Sequence, residues 1–170
     1  MTQNDLPAMP EGDDRRLKAR PSRARYDKVH HNLERRWRRR CDQRHDRMMK
    51  EIVDEIWDQF ANSPYAWCGF YVFSPDGSQL LLGHHRDKSA GSPLPMQSVA
   101  GKAVTTGRTQ IVSDAQRRWS EIAVPVFDEK GKAWAALDVE SAELGAFDEM
   151  DQRWLERLLK VFAQMPRPSL

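Results

Sequence analysis

The sequence predicts an α+β fold. An antiparallel sheet of about five to six strands has N- and C-terminal helices packed on one face, with loops and a short helix over the other. Three observations carry this expectation. Apolar residues recur every three or four positions in two terminal stretches, Tyr26 to Phe60 and Trp154 to Phe162. Between them lie runs rich in aromatic and β-branched residues. Turns join four of these runs into two hairpins, with a short helix and a single strand between the pairs.

The elements follow in order. Residues 1–25 contain Pro7, Pro10, Gly12 and Pro21 with few apolar side chains, the composition of a disordered basic arm. Tyr26, Val29, Leu33 and Trp37 start a helical stripe that resumes at Met48, Met49, Ile52, Val53, Ile56, Trp57 and Phe60. The weak stretch between Trp37 and Met48 predicts one long helix or two helices broken there, ended by Asn62-Ser63-Pro64. Ala66 to Phe73 and Gln79 to His84 are strands joined by Ser74-Pro75-Asp76-Gly77-Ser78, where Pro sets φ and Asp-Gly supplies the positive-φ corner. Ser98 to Gly107 is a short helix closed by glycine. Thr109 to Val112, Glu121 to Phe127 and Ala133 to Glu140 are strands. Asp148 caps the last helix, with Glu149 and Asp151 in its positive first turn. The resulting organisation is a disordered arm over 1–25, a basic helical extension over 26–49, a domain over 50–165 and a tail over 166–170.

Charge and cysteine content narrow the function classes. Residues 1–50 hold 15 Lys/Arg against 8 Asp/Glu, while residues 51–170 hold 12 against 17, so a basic arm precedes an acidic domain. Two cysteines, Cys41 and Cys68, make neither a disulfide framework nor a zinc ribbon. No secretory leader and no apolar run long enough for a membrane span is visible, which makes a cytoplasmic protein the default expectation. Adjacent histidines in His30-His31 and His84-His85 point apart, so no metal is assigned and no cofactor is expected.

Strand alternation then sorts the side chains. Trp67, Gly69 and Tyr71 share one face; Glu121 and Ala123 share it on the fourth strand, and Trp134, Ala136, Asp138 and Glu140 on the fifth. The opposite set, including Cys68, Phe70, Ile122, Val124, Leu137 and Val139, is apolar and suits packing under the helices. Carboxylates beside aromatic rings could receive an ammonium-bearing ligand through Coulomb attraction and cation–π contact. The simpler reading is the solvent face of a half-exposed sheet.

The ordered motifs Trp67-Cys68-Gly69-Phe70-Tyr71, Leu82-Gly83, Val99-Ala100-Gly101-Lys102-Ala103, Thr106-Gly107, Ser120-Glu121-Ile122-Ala123-Val124-Pro125, Leu137-Asp138-Val139-Glu140-Ser141 and Phe147-Asp148-Glu149-Met150-Asp151 together resemble a GAF domain. Within that family they resemble the free methionine-(R)-sulfoxide reductases, over about residues 50–165. The resemblance implies the antiparallel sheet, terminal helices that often dimerise, and reduction of free methionine sulfoxide by a cysteine nucleophile with resolving cysteines, recycled by thioredoxin. It implies a ligand pocket of Trp67, Tyr71, Glu121, Asp138 and Glu140. The chain also departs from the pattern. Family cysteines fall near Gly91 and at Ala100, and a third lies in a loop cut here to Ala115-Gln116-Arg117-Arg118-Trp119. Glu140 replaces the usual Asp. Sulfoxide reduction needs one thiolate to attack sulfur and a second thiol to release it. Cys68 points to the core, and Cys41 lies far away in the basic helix.

The expected function is therefore a non-catalytic ligand-binding or sensory module for a small polar or amine-bearing metabolite, with residual reductase activity as the alternative. Arg35-Arg36-Trp37-Arg38-Arg39-Arg40 admits a nucleic-acid or acidic partner. The favoured reading of that run is a solvated helix pairing with a partner chain through Val29, Leu33 and Trp37.

Overall fold

A computed structural model describes residues 23–40, 44–61, 63, 65–87 and 91–168. The disorder expected before Arg23, the Cys41 thiol and the last residues of the tail lie outside them. Two helices open the described chain, α1 (Arg23–Trp37) and α2 (His45–Gln59). The break falls where the apolar stripe fades, and Arg23 to Arg25, expected in the arm, are helical. Helix α1 does not reserve its stripe for a partner chain. Val29 and Leu33 are fully buried within this chain, and Trp37 packs against the same core. Polar contacts fasten α1 to α2: Asn32 and Arg36 donate to Glu55 at 2.6 and 3.0 Å, and the Trp37 indole donates to Glu51 at 2.8 Å.

Six strands follow: β1 (Tyr65–Phe73), β2 (Gln79–Arg86), β3 (Leu94–Pro95), β4 (Gln110–Asp114), β5 (Trp119–Phe127) and β6 (Ala133–Ser141). All neighbours are antiparallel, in the order β3-β2-β1-β6-β5-β4. The two-residue β3 carries no strand signal of its own. Helix α3 (Val99–Thr106) starts where the Ser98 hydroxyl accepts from the Gly101 amide and ends at Gly107, whose φ is 64°. Gly101 must be glycine, because a Cβ there would lie 2.5 Å from the Met96 carbonyl oxygen. Helix α4 (Glu149–Leu159) begins with the predicted Asp148 cap, completed by Asp151 into a reciprocal capping box.

The sheet separates two apolar clusters. On one face, α1, α2 and α4 cover Cys68, Phe70, Ile122, Val124, Leu137 and Val139, as alternation predicts. On the other, α3 packs Ala100, Ala103 and Val104 over Trp67, Tyr71, Ala123 and Ala136. Trp134 is a correction. Strict alternation puts it on the carboxylate face, but it lies in the helix-side core beside His45 and Phe162. The β5–β6 register steps from Val126↔Ala135 to Phe127↔Ala133, and this bulge turns Trp134 through the sheet.

One buried polar junction joins the first helix, the first strand and the last helix. The Tyr26 hydroxyl contacts that of Tyr65 at 2.8 Å and donates to Asp151 at 2.9 Å, while the Asp148 amide donates to the other Asp151 oxygen at 2.8 Å. Tyr26→Phe and Asp151→Ala are each expected to cost about 1–3 kcal/mol in urea denaturation, because each strands a buried partner. The double variant should cost less than the sum, since both changes break one network.

Candidate functional site

The site is built on three cross-strand rows. Glu121 on β5 faces Glu140 on β6, which faces Trp67 on β1. The next row is Ala123, Asp138, Gly69 and, on β2, His85. The third is Pro125, Ala136, Tyr71 and Leu82. Trp67, Tyr71, Glu121, Asp138 and Glu140, named from sequence, thus share a face. Small Ala and Gly side chains in the middle row leave height above the sheet. Gly69 is essential to this geometry: a Cβ there would lie 2.6 Å from both the Trp67 ring and the His85 Cβ.

This is not the solvent face of a half-exposed sheet. Glu121 is 5% exposed and Asp138 2%. Helix α3 covers the middle of the face. The Tyr71 hydroxyl donates to the Gly91 carbonyl at 2.9 Å and holds that loop over it. The Trp119 indole donates to Glu140, which stays half-buried at the edge.

Among the described residues, no Lys or Arg pairs with any of the three carboxyls. Burial pushes Glu121 up to about 7; its hydrogen bond with Asp138 pulls the other way, and Glu140 adds to the rise. Asp138 rises well above the usual carboxylate range, through burial first and then the Glu121 charge. Burial also raises Glu140, partly offset by the Trp119 donor. Two like charges this close cannot both ionise in a dry site, so Glu121 and Asp138 hold a proton between them at neutral pH. Asp138 Oδ1 and the Trp67 indole nitrogen are both buried and have no hydrogen-bond partner. An unmet acceptor and an unmet donor on one covered face are costly unless something else meets them.

The thiol positions can also be placed. Ala100 is fully buried against Trp67 and Tyr71, and Gly91 sits at the end of the Tyr71 hydrogen bond. Gly91 and Ala100, where the resemblance to the reductases implies cysteines, therefore both border this face. In the shortened loop, Asp114 accepts from the Gln116 and Arg117 amides at 2.9 and 3.1 Å, closing the turn directly into Trp119. Cys68 is fully buried on the opposite face, and burial pushes its thiol pKa up, with the Asp138 charge adding to it.

His85 was missed as a site residue. Its ring stacks on Trp67 at 6.2 Å, fixed by a hydrogen bond to the Gly83 carbonyl at 3.0 Å. Simple alternation could not place it, because the β1–β2 register shifts between Gly69 and Tyr71. His84 points the other way, to Asp46 on α2 at 2.7 Å.

The GAF domain family matches residues 42–165. The free methionine-R-sulfoxide reductase of Saccharomyces cerevisiae is 32% identical over 107 residues, which cover 56% of this chain and 59% of that protein; the chain thus spans less than two thirds of that relative. The structure of the free methionine-R-sulfoxide reductase from Neisseria meningitidis in complex with its substrate aligns with a TM-score of 0.72 at 25% identity, over 84% of this chain and 90% of that one. A solved GAF domain aligns with a TM-score of 0.72 at 23% identity, over 94% and 99% of the two chains, a likeness of fold. The chain is related to the free methionine-R-sulfoxide reductases and belongs to the GAF domain family.

Proposed function

We propose that the protein is a non-catalytic binding module that takes a small amine-bearing metabolite on the carboxylate face and passes its occupancy to a partner, or to a second copy, through the terminal helices. The observation that carries this reading is the pair of unmet groups, Asp138 Oδ1 and Trp67 Nε1, beside three carboxyls with no cation among the described residues. An ammonium group would supply the missing positive charge and donors. An acceptor elsewhere on the ligand would meet the indole N–H. Trp67 and Tyr71 would flank its apolar part. Binding would replace the proton held between Glu121 and Asp138 with the ligand's charge, so affinity would depend on pH.

The absence of sulfur at Gly91 and Ala100 argues against the reductase reading. Cys68 cannot stand in, because it lies beneath the sheet with its thiol held protonated. The likeness to a free methionine-R-sulfoxide reductase in complex with its substrate supports an amino acid as the first probe.

Calorimetric titration with methionine, its sulfoxides and other small amines should show saturable binding by at least one, lost in Glu121→Ala. Silence across the series in the wild-type chain would end the ligand reading. Binding should also release protons near neutral pH, visible as a heat that changes with the buffer's ionisation enthalpy.

Stability should follow the same carboxyls. The folded pKa of Glu121 lies above its unfolded one, so its contribution is full below about pH 4.5 and is lost as pH rises through about 7, and burial shifts Asp138 and Glu140 in the same direction. The ligand-free melting temperature should therefore fall between pH 5 and pH 8. Glu121→Gln should raise stability at pH 8 by about 1–3 kcal/mol and flatten this fall in part. Asp151, also pushed up to about 7 by burial, keeps the remainder.

Thioredoxin-coupled assays with free methionine sulfoxide should show no turnover, and Cys68→Ser should behave as wild type. Turnover that dies in Cys68→Ser would restore the enzyme.

A further inference from the structure

Helix α1 carries a basic face that the fold does not consume. Its inner residues are buried, and Arg36 and Arg40 reach back to Glu55 and Glu51 on α2. Lys28, His31 and Arg35 share the outward side, and Arg38, in an exposed pairing with Glu34 at 3.4 Å, and Arg39 extend it into the following turn. Arg35 and Arg39 form no ion pair with another described residue. This row leads toward a groove of about 470 Å³ where the start of α1 meets α4.

The groove is lined by Arg23, Met150, Arg153, Trp154 and Arg157. Trp154 is its half-buried floor, stacked on Tyr26 at 6.1 Å with the rings 7° apart and edged by His30 at 5.1 Å. The Arg157 guanidinium lies over the indole at 5.5 Å from its centroid. Arg153 has an exposed pairing with Glu149 at 3.1 Å, weak enough to exchange for another anion. Three guanidiniums therefore surround one flat, rigid stack.

We propose that this surface binds single-stranded nucleic acid, with one base laid on the Arg157–Trp154 stack and the phosphates led along Arg23, Arg153 and the α1 row. A guanidinium backed by an indole presents a planar cationic platform, which suits a base better than a carboxylate chain does. An anionic membrane fits less well. Among the described residues the exposed large apolar ones are Leu81, Ile111, Val112 and Leu144, none of them on α1 or α4, so no exposed apolar anchor accompanies the charge on these two helices. A second copy meeting this face across a two-fold axis would set Arg35 and Arg39 against their own equivalents. The proposal is independent of the carboxylate pocket, which lies across the sheet.

The test is fluorescence anisotropy of a short labelled oligothymidylate titrated with the full chain. Between about 50 and 200 mM salt, affinity should fall with a log–log slope of about −0.7 per phosphate contacted. Arg35→Glu with Arg39→Glu should weaken binding about ten-fold or more and flatten that slope. Arg157→Gln should remove most of the preference for oligothymidylate over an abasic strand of equal charge, roughly ten-fold in wild type. Circular dichroism establishes that both variants remain folded. The proposal is overturned if no binding is seen at low salt. It is equally overturned if polyglutamate or the abasic strand binds as tightly, which would mark a plain polyanion surface. Thymidine monophosphate binding as tightly as the strand would mean a small-ligand groove. Unchanged binding by both variants would move the contact off this face.

Discussion

Two neighbouring strands at the middle of the sheet carry carboxyls that face each other out of water, and the surrounding fold is arranged around that constraint. A solvent-facing sheet would hydrate Glu121, Asp138 and Glu140 at little cost. Helix α3 and the loop tied to Tyr71 remove that option. Among the described residues no Lys or Arg pairs with these carboxyls. Burial and mutual repulsion favour a proton on the Glu121–Asp138 pair, the Trp119 indole donates to Glu140, and Asp138 Oδ1 is left without a hydrogen-bond partner. Buried carboxyls without a partner cation are costly to the fold.

The two faces of the sheet divide chemistry from cohesion. Beneath the sheet, Cys68 is one more apolar contact among Phe70, Val139 and the terminal helices, and burial makes its sulfur inert. Above it, Gly91 and Ala100, where the resemblance to the reductases implies cysteines, stand beside the aromatic residues of the carboxylate face. Binding needs complementarity to a ground state, whereas turnover needs a reacting group as well.

Local rules made much of this architecture legible. The Asp148 cap, the Gly107 stop, the Pro75-Asp76-Gly77 turn and the strand alternation of Cys68, Phe70, Ile122 and Leu137 each follow from short-range sterics and hydrogen bonding, and each is present. Alternation failed where the ladder itself is irregular. The bulge opposite Val126 sent Trp134 to the other face, and the register shift on β2 brought His85 onto Trp67. The apolar stripe of α1 was visible, but its partner was not. Periodicity shows that a face must be buried and says nothing about whether the same chain or another buries it.

By itself, the sequence determined the order of the long strands, the caps of α3 and α4, the face on which the five candidate residues stand, and the presence of glycine and alanine at positions 91 and 100. Those properties depend on neighbours within a few residues or on residue identity alone. Only the tertiary structure decided that the carboxylate face is covered and not wet, that Asp138 and Trp67 keep unmet polar atoms, and that the arginines of α1 and α4 converge on Trp154. Burial, pKa and groove shape arise from elements far apart in the chain. A single strand or helix cannot show what will be packed on top of it.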